Sequence, residues 1–149
     1  MNTSLANMKG ISNGQVIDAD KEYAIAEEYR KKLKTKCPSV EQNVGNLSGG
    51  NQQKVLLAKW MFTEPDILIL DEPTRGIDVG AKYEIYCIIN DLVAAGKSVI
   101  MISSELPEVL GMSDRIYIMN EGKFVGEVGK EEATSELIMS KIVKSGKGA

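Results

Sequence analysis

The sequence predicts an α/β protein built around a parallel sheet and preceded by a segment of different character. Three observations carry this reading. Residues 67–70, Ile-Leu-Ile-Leu, form a continuous apolar run between turn signals, as strands buried on both faces of parallel sheets do. A helical pattern over 79–94 separates that run from a second apolar strand at 98–103, so strand, helix and strand alternate. The first 46 residues carry no strand pattern.

In chain order, residues 1–17 are polar, contain Gly10 and Gly14, and read as loop or weak structure. Residues 20–34 read as a helix: Ile25, Tyr29 and Leu33 recur every fourth position, and Glu27/Lys31 and Glu28/Lys32 are favourably ordered ion pairs. Cys37-Pro38-Ser39 ends it, and 39–46 is a polar connector. Ser48-Gly49-Gly50 opens a helix running to about Thr63, with Val55, Leu56, Trp60 and the stem of Lys59 available for packing; Pro65 stops it. Asp78 caps the helix at 79–94, whose Ile85, Ile88, Ile89 and Leu92 share one face, and Gly96 ends it. A short helix at 105–110 precedes a third strand at 115–119. Gly122 turns this into a fourth strand at 123–128. An amphipathic helix at 131–144 is followed by a Gly/Lys tail.

Composition narrows the classes. The 149 residues are 43% hydrophobic and 26% charged, in the range of a single globular domain. Net charge is −3, and the densest basic cluster, Arg30 to Lys36, is interleaved with Glu27 and Glu28 as on a solvated helix face. No nucleic-acid partner is expected. Cys37 and Cys87 have neither metal nor redox spacing, which points to a reducing compartment. Residues 1–10 have no apolar core of a secretory leader. No apolar run approaches the roughly 20 residues of a spanning helix. A cytoplasmic protein that reaches a membrane only through a partner is expected.

Two constellations carry chemistry. The first is Leu47-Ser48-Gly49-Gly50-Asn51-Gln52-Gln53. A helix N-terminus presents unpaired N–H groups and positive partial charge, two glycines let an anion approach the backbone, and Ser48 can cap the helix or donate its hydroxyl. An ordinary capped helix after a turn is the competing reading. The second is Ile67 to Thr74, where Asp71 and Glu72 fall at the carboxyl end of a strand, the place where open parallel sheets bind ligands. Adjacent side chains of an extended segment diverge, so Asp71 suits a water-mediated Mg²⁺ contact and Glu72 suits orienting an attacking water. Pro73 is expected to hold Glu72 extended. A strand ending in solvated acids is the competing reading here.

The two constellations in this order, followed at once by Arg75-Gly76-Ile77-Asp78, resemble the ATP-binding cassettes of ABC proteins. LSGGNQQ resembles the signature sequence, LILDEPT the Walker B segment with its catalytic glutamate, and GID the D-loop with Asp78. NQQKV, DEPTRGIDVGAK and ISSELPEVL together resemble the second cassette of fused two-cassette ATPases of bacterial monosaccharide importers. The resemblance spans about residues 20–130. It implies a partial P-loop NTPase-type parallel sheet with a helical subdomain at 1–46, a catalytic-core fragment at 47–130 and a C-terminal helix and tail at 131–149. It implies ATP and Mg²⁺ in the intact parent, with Asp71 on the metal and Glu72 catalytic. Ser48, Gly49, Gly50 and Gln52 would contact ATP held by the first cassette. The helical subdomain would touch a membrane permease at the inner face of the cell membrane.

The chain also departs from the family pattern. The only Gly-Lys-Ser is Gly96-Lys97-Ser98; the position that should hold the first glycine of GxxxxGK[ST] is Asp91, and the context is helix to strand. No Walker A loop or glutamine loop is present, so a truncated cassette is expected, with no nucleotide bound by this chain by itself. Ser104 stands where the family has its switch histidine, and the chain contains no histidine. The site around Asp71 and Glu72 is therefore expected to be slow or inactive. A missing neighbour strand would leave residues 67–70 with an unpaired edge, for which another segment or self-association is expected to compensate. A non-transport ABC protein acting on nucleic acid is disfavoured by the charge.

Overall fold

The computed structural model describes residues 2–146, in two units, residues 1–100 and 101–149. Residues 147–149, the end of the Gly/Lys tail, lie outside the described residues.

The first unit opens with a 3₁₀ segment, Leu5–Ile11, and a small hairpin of β1 (Ser12–Asn13) and β2 (Val16–Ile17) turned at Gly14, φ +66°. The expectation of no strand before residue 47 is therefore corrected. Ile11, which leads into the hairpin, is fully buried, and its carbonyl accepts the Asp18 N–H at 2.8 Å. Helix α1 (Ala19–Lys32) starts at Asp18, whose side chain accepts the Lys21 N–H. Within it Glu27 pairs bidentately with Arg30, both contacts 2.9 Å, at i+3 rather than reaching to i+4. Tyr29 and Leu33 are buried, and the Tyr29 ring meets Phe62 edge-on at 6.1 Å.

Helix α2 (Gly49–Met61) buries Gly50, Lys54, Leu57, Ala58 and Met61. This stripe runs at intervals of three and four residues, as one helix face does. Val55, Leu56, Lys59 and Trp60 were expected to pack, yet Leu56 is 46% and Trp60 45% exposed. The face is rotated because α2 approaches α3 (Val79–Ala94) through its smallest residue. A Cβ placed on Gly50 would lie 2.5 Å from the Ala81 Cβ. Asp78 caps α3 by accepting the Ala81 N–H at 2.9 Å, and Ile85, Ile88 and Ile89 are buried. Gly96, at φ +84°, ends the segment that leads into the next strand.

Strands β3 (Ile67–Asp71) and β4 (Ser98–Ile102) form a two-stranded parallel sheet, entered by the Ser98 N–H bonding to Asp66 O at 2.9 Å. Burial on both faces is corrected. Leu68 and Leu70 are each 7% exposed, whereas Ile67 and Ile69 are 59% and 63% exposed. Helices cover one face only, so a run without polar alternation still buries alternate residues. No second segment pairs with β3 among the described residues, so pairing by another segment of this chain is ruled out there.

In the second unit, α4 (Leu106–Met112) precedes a hairpin of β5 (Arg115–Asn120) and β6 (Lys123–Gly129). Glu121 and Gly122 both have positive φ, +48° and +74°, as a two-residue type I′ turn demands. That turn makes β5 antiparallel to β6 in a sheet of their own, so the parallel order read from the sequence is limited to β3 and β4. Ile116, Ile118, Val128 and Ile138 form the core, with Leu106, Val109, Leu110 and Ile142 packed around them. Ile138 and Ile142 come from the last helix, α5 (Ser135–Gly146).

The Gly50–Ala81 approach is testable. Gly50→Ala should lower stability by about 1–3 kcal/mol through overpacking. Adding Ala81→Gly should recover most of the loss in a thermal melt; no recovery would place the critical contact elsewhere.

Candidate functional site

Ser48 begins α2 with extended backbone angles and is exposed, but its side chain makes no capping bond. Its Oγ instead accepts from Asn51 Nδ2 at 2.8 Å. The first-turn amides thus stay uncapped, the condition under which a helix terminus attracts an anion. Asn51 also accepts the Lys36 N–H at 2.9 Å, tying the terminus to the chain beyond α1. Gln52 is half-buried, its Nε2 donating to Leu47 O at 2.8 Å. The two glycines differ in role. Gly49 is exposed, and a Cβ there would sit 3.2 Å from Ile77 Cγ2; Gly50 is buried against α3. Helix packing accounts for Gly50, whereas Gly49 lies beside residues 76 and 77.

Asp71 is the last residue of β3 and is exposed. Glu72 is half-buried with φ +47°, so the expectation that Pro73 keeps it extended is corrected. The chain reverses here, the Arg75 N–H bonding Glu72 O at 3.2 Å. A residue before proline avoids the right-handed helical region, and the turn forces the left-handed one. Such a conformation in a non-glycine residue costs about 1–3 kcal/mol and is concentrated at functional sites. Glu72 and the buried Thr74 both engage other groups of the fold.

The residue that sequence reasoning missed is Lys54. Its side chain is 2% exposed, and its Nζ lies 2.7 Å from Glu84 Oε2 on α3 and donates to Lys34 O at 3.1 Å. The hydrogen bond from Lys54 holds the Glu84 carboxyl below its ordinary range; partial burial opposes this, the charges of Lys54 and Lys36 add to it, and Asp78 opposes it. The signal was available: Lys54 precedes Leu57, Ala58 and Met61 by three, four and seven positions.

Gly96-Lys97-Ser98 joins α3 to β4, and Lys97 Nζ meets the surface Asp66 carboxylate at 3.3 Å, an arrangement with no phosphate cradle. In the second unit Ser104 is exposed between β4 and α4. There the Ser103 Oγ accepts the Glu105 N–H at 3.0 Å.

The element order and the motif order define an ATP-binding cassette of the ABC type. The ABC transporter family model matches residues 2–75, and the chain belongs to that family. It is 60% identical over 144 residues to the L-arabinose transport ATP-binding protein AraG of Geobacillus stearothermophilus, covering 97% of this chain and 28% of that protein. It is 57% identical over 139 residues to the xylose import ATP-binding protein XylG of Geobacillus kaustophilus, and 55% over 139 residues to the ribose import ATP-binding protein RbsA of Clostridium tetani. In both cases 93% of this chain and 28% of the relative are covered, so the chain spans under a third of these relatives. A nucleotide-free ATP-binding cassette from an ABC transporter has the same fold, with TM-score 0.79 at 24% identity over 99% of this chain and 62% of that one. An ATP-binding cassette in its ADP conformation aligns with TM-score 0.72 at 28% identity, over 91% of this chain and 54% of that one.

The donors fit Mg²⁺ in a limited way. No cluster of three metal-binding side chains exists among the described residues. An exposed lone Asp71 suits a cation that keeps its waters and takes its other oxygens from phosphates.

The Glu84 shift sets an acid dependence. A carboxyl depressed in the folded state adds stability above its unfolded value, about 4.3, and loses it as pH falls through the lower folded value. Glu84→Gln should therefore be less stable than the unaltered chain at neutral pH. The gap should close as urea-unfolding midpoints are followed below about pH 4; a gap constant with pH would refute the ion pair.

Proposed function

We propose that this chain is the signature-bearing part of an ATP-binding protein that powers sugar import. The observation that carries the reading is the exposed, uncapped start of α2 at Ser48 within an ABC-type fold. Ser48 and Gly49 offer a hydroxyl and uncapped amides to the terminal phosphate of ATP held by another cassette of the same parent. Gly50 and Gln52 support that surface from behind, Gly50 through α3 and Gln52 through Leu47 O. Asp71 would hold Mg²⁺ through water, and the ion when bound would supply charge neutralisation at the phosphates. Glu72 orients the water that attacks the γ-phosphorus, displacing ADP. Asp78, the acidic residue of the D-loop, also caps the helix that follows it.

Ser104 has no imidazole with which to hold the water network. The site around Asp71 and Glu72 is thus the slower of two, and the one completed by Ser48 does most of the turnover. The 149 residues contain no phosphate loop, so this chain by itself does not hold ATP. Its partners are the first cassette and a membrane permease met by residues 1–46, at the cytoplasmic face of the membrane. Among the described residues no helix is long and apolar enough to cross one. The names of the relatives, covering arabinose, xylose and ribose, support a sugar as cargo. In isolation the open β3–β4 sheet favours self-association.

Two measurements test this. In the full-length transporter, Ser48→Arg should cut ATP turnover by roughly 10²-fold, as loss of a transition-state donor does, and Glu72→Gln by much less. Survival of turnover in Ser48→Arg with its abolition in Glu72→Gln would reverse the assignment. Calorimetry of this chain with Mg-ATP should show no binding heat; a micromolar dissociation constant would sink the claim that it holds no nucleotide by itself.

A further inference from the structure

We infer that Lys54 is a positioning residue for Ser48, and that its buried ammonium sets the register of the signature helix against α3. The inference rests on the function proposed above. It starts from a mismatch between chemistry and place. A buried ammonium is a weak source of stability, since its desolvation offsets most of its attraction to a partner. A methionine at position 54 would fill the same space. What the ammonium adds is direction. Its donors are committed to two acceptors on different elements, Glu84 Oε2 at 2.7 Å and Lys34 O at 3.1 Å.

The geometry around it makes that direction count. The contacts that join helix α2 to α3 include Gly50 against Ala81 and Lys54 against Glu84. The first is a contact between small residues that limits distance but not sliding. The second locks translation and rotation. Ser48 lies about 9 Å up the helix from Lys54 at 1.5 Å per residue, so rotation of α2 swings the Ser48 hydroxyl directly. Asp78 and Ala81 stand on the opposite side of this contact, joined by the capping bond of 2.9 Å. Asn51 completes the frame by bonding both Ser48 Oγ and the Lys36 N–H. The start of α3 and the start of α2 therefore move as one piece, with Lys54 as the polar link.

The test uses the full-length transporter with its permease and separates alignment from folding. Lys54→Met should lower kcat for ATP about tenfold while KM changes less than about twofold, since alignment acts on the transition state. Lys54→Arg, which keeps donors and charge, should recover at least about a third of kcat. Glu84→Gln changes a half-exposed partner, so it folds even if Lys54→Met does not, and should lower kcat by about threefold or more. Hydrogen exchange at amides 49–52 of Glu84→Gln should quicken about tenfold, with the β5–β6 hairpin unaffected. The inference is overturned if Lys54→Met and Glu84→Gln both keep kcat within about twofold, or if Lys54→Arg loses as much as Lys54→Met. If Lys54→Met does not fold, Glu84→Gln decides. If the unaltered protein turns over no ATP, the transport reading fails instead. Exchange in Glu84→Gln then decides the link, unchanged rates overturning it.

Discussion

A single buried ammonium organises the first unit. Lys54 reaches from α2 to the carboxylate of Glu84 on α3 and to the carbonyl of Lys34 beyond α1. That carbonyl belongs to a residue at φ +50°, presented after the helix has ended. Three elements thus share one cation. Removing it would take one shared donor from the half-exposed Glu84 carboxylate and from the Lys34 carbonyl. The close approach of α2 and α3 through Gly50 and Ala81 adds shape to the same contact. The exposed Ser48, the D-loop segment and the cap of α3 inherit their positions from this arrangement.

Local pattern exposed much of this in advance. The α3 cap at Asp78, the Gly96 stop, the Gly122 turn and the position of every long helix were legible because each depends on neighbours within a turn or two. The motif order identified the cassette. What was not legible depends on tertiary partners. The burial face of α2 could not be read from apolar residues, since its central members are a glycine and a lysine. Ile67 and Ile69 look like core from composition, but nothing among the described residues covers them. Glu72 was expected to be extended because Pro73 follows it; the reversal after β3 overrides that local preference.

The candidate site divides in the same way. Ser48 at the start of α2 and Asp71 at the end of β3 are both exposed. Gly50 packs against Ala81 closely enough to demand a residue with no side chain, whatever approaches the helix terminus. Glu72 carries backbone strain of the kind that persists where surrounding structure over-determines it. A motif read as a string gives each letter one purpose; in the fold, adjacent letters answer to different neighbours.

The ends of β3 have a consequence for any experiment on its acids. Asp66 and Asp71, both exposed, bracket a strand whose outward isoleucines are of the kind that nucleates aggregation. Charges in those places act as gatekeepers. Changing Asp71 to an uncharged residue would therefore remove the proposed metal contact and a solubility guard together. A drop in recovered activity from such a protein is a statement about catalysis only once its light scattering matches that of the parent.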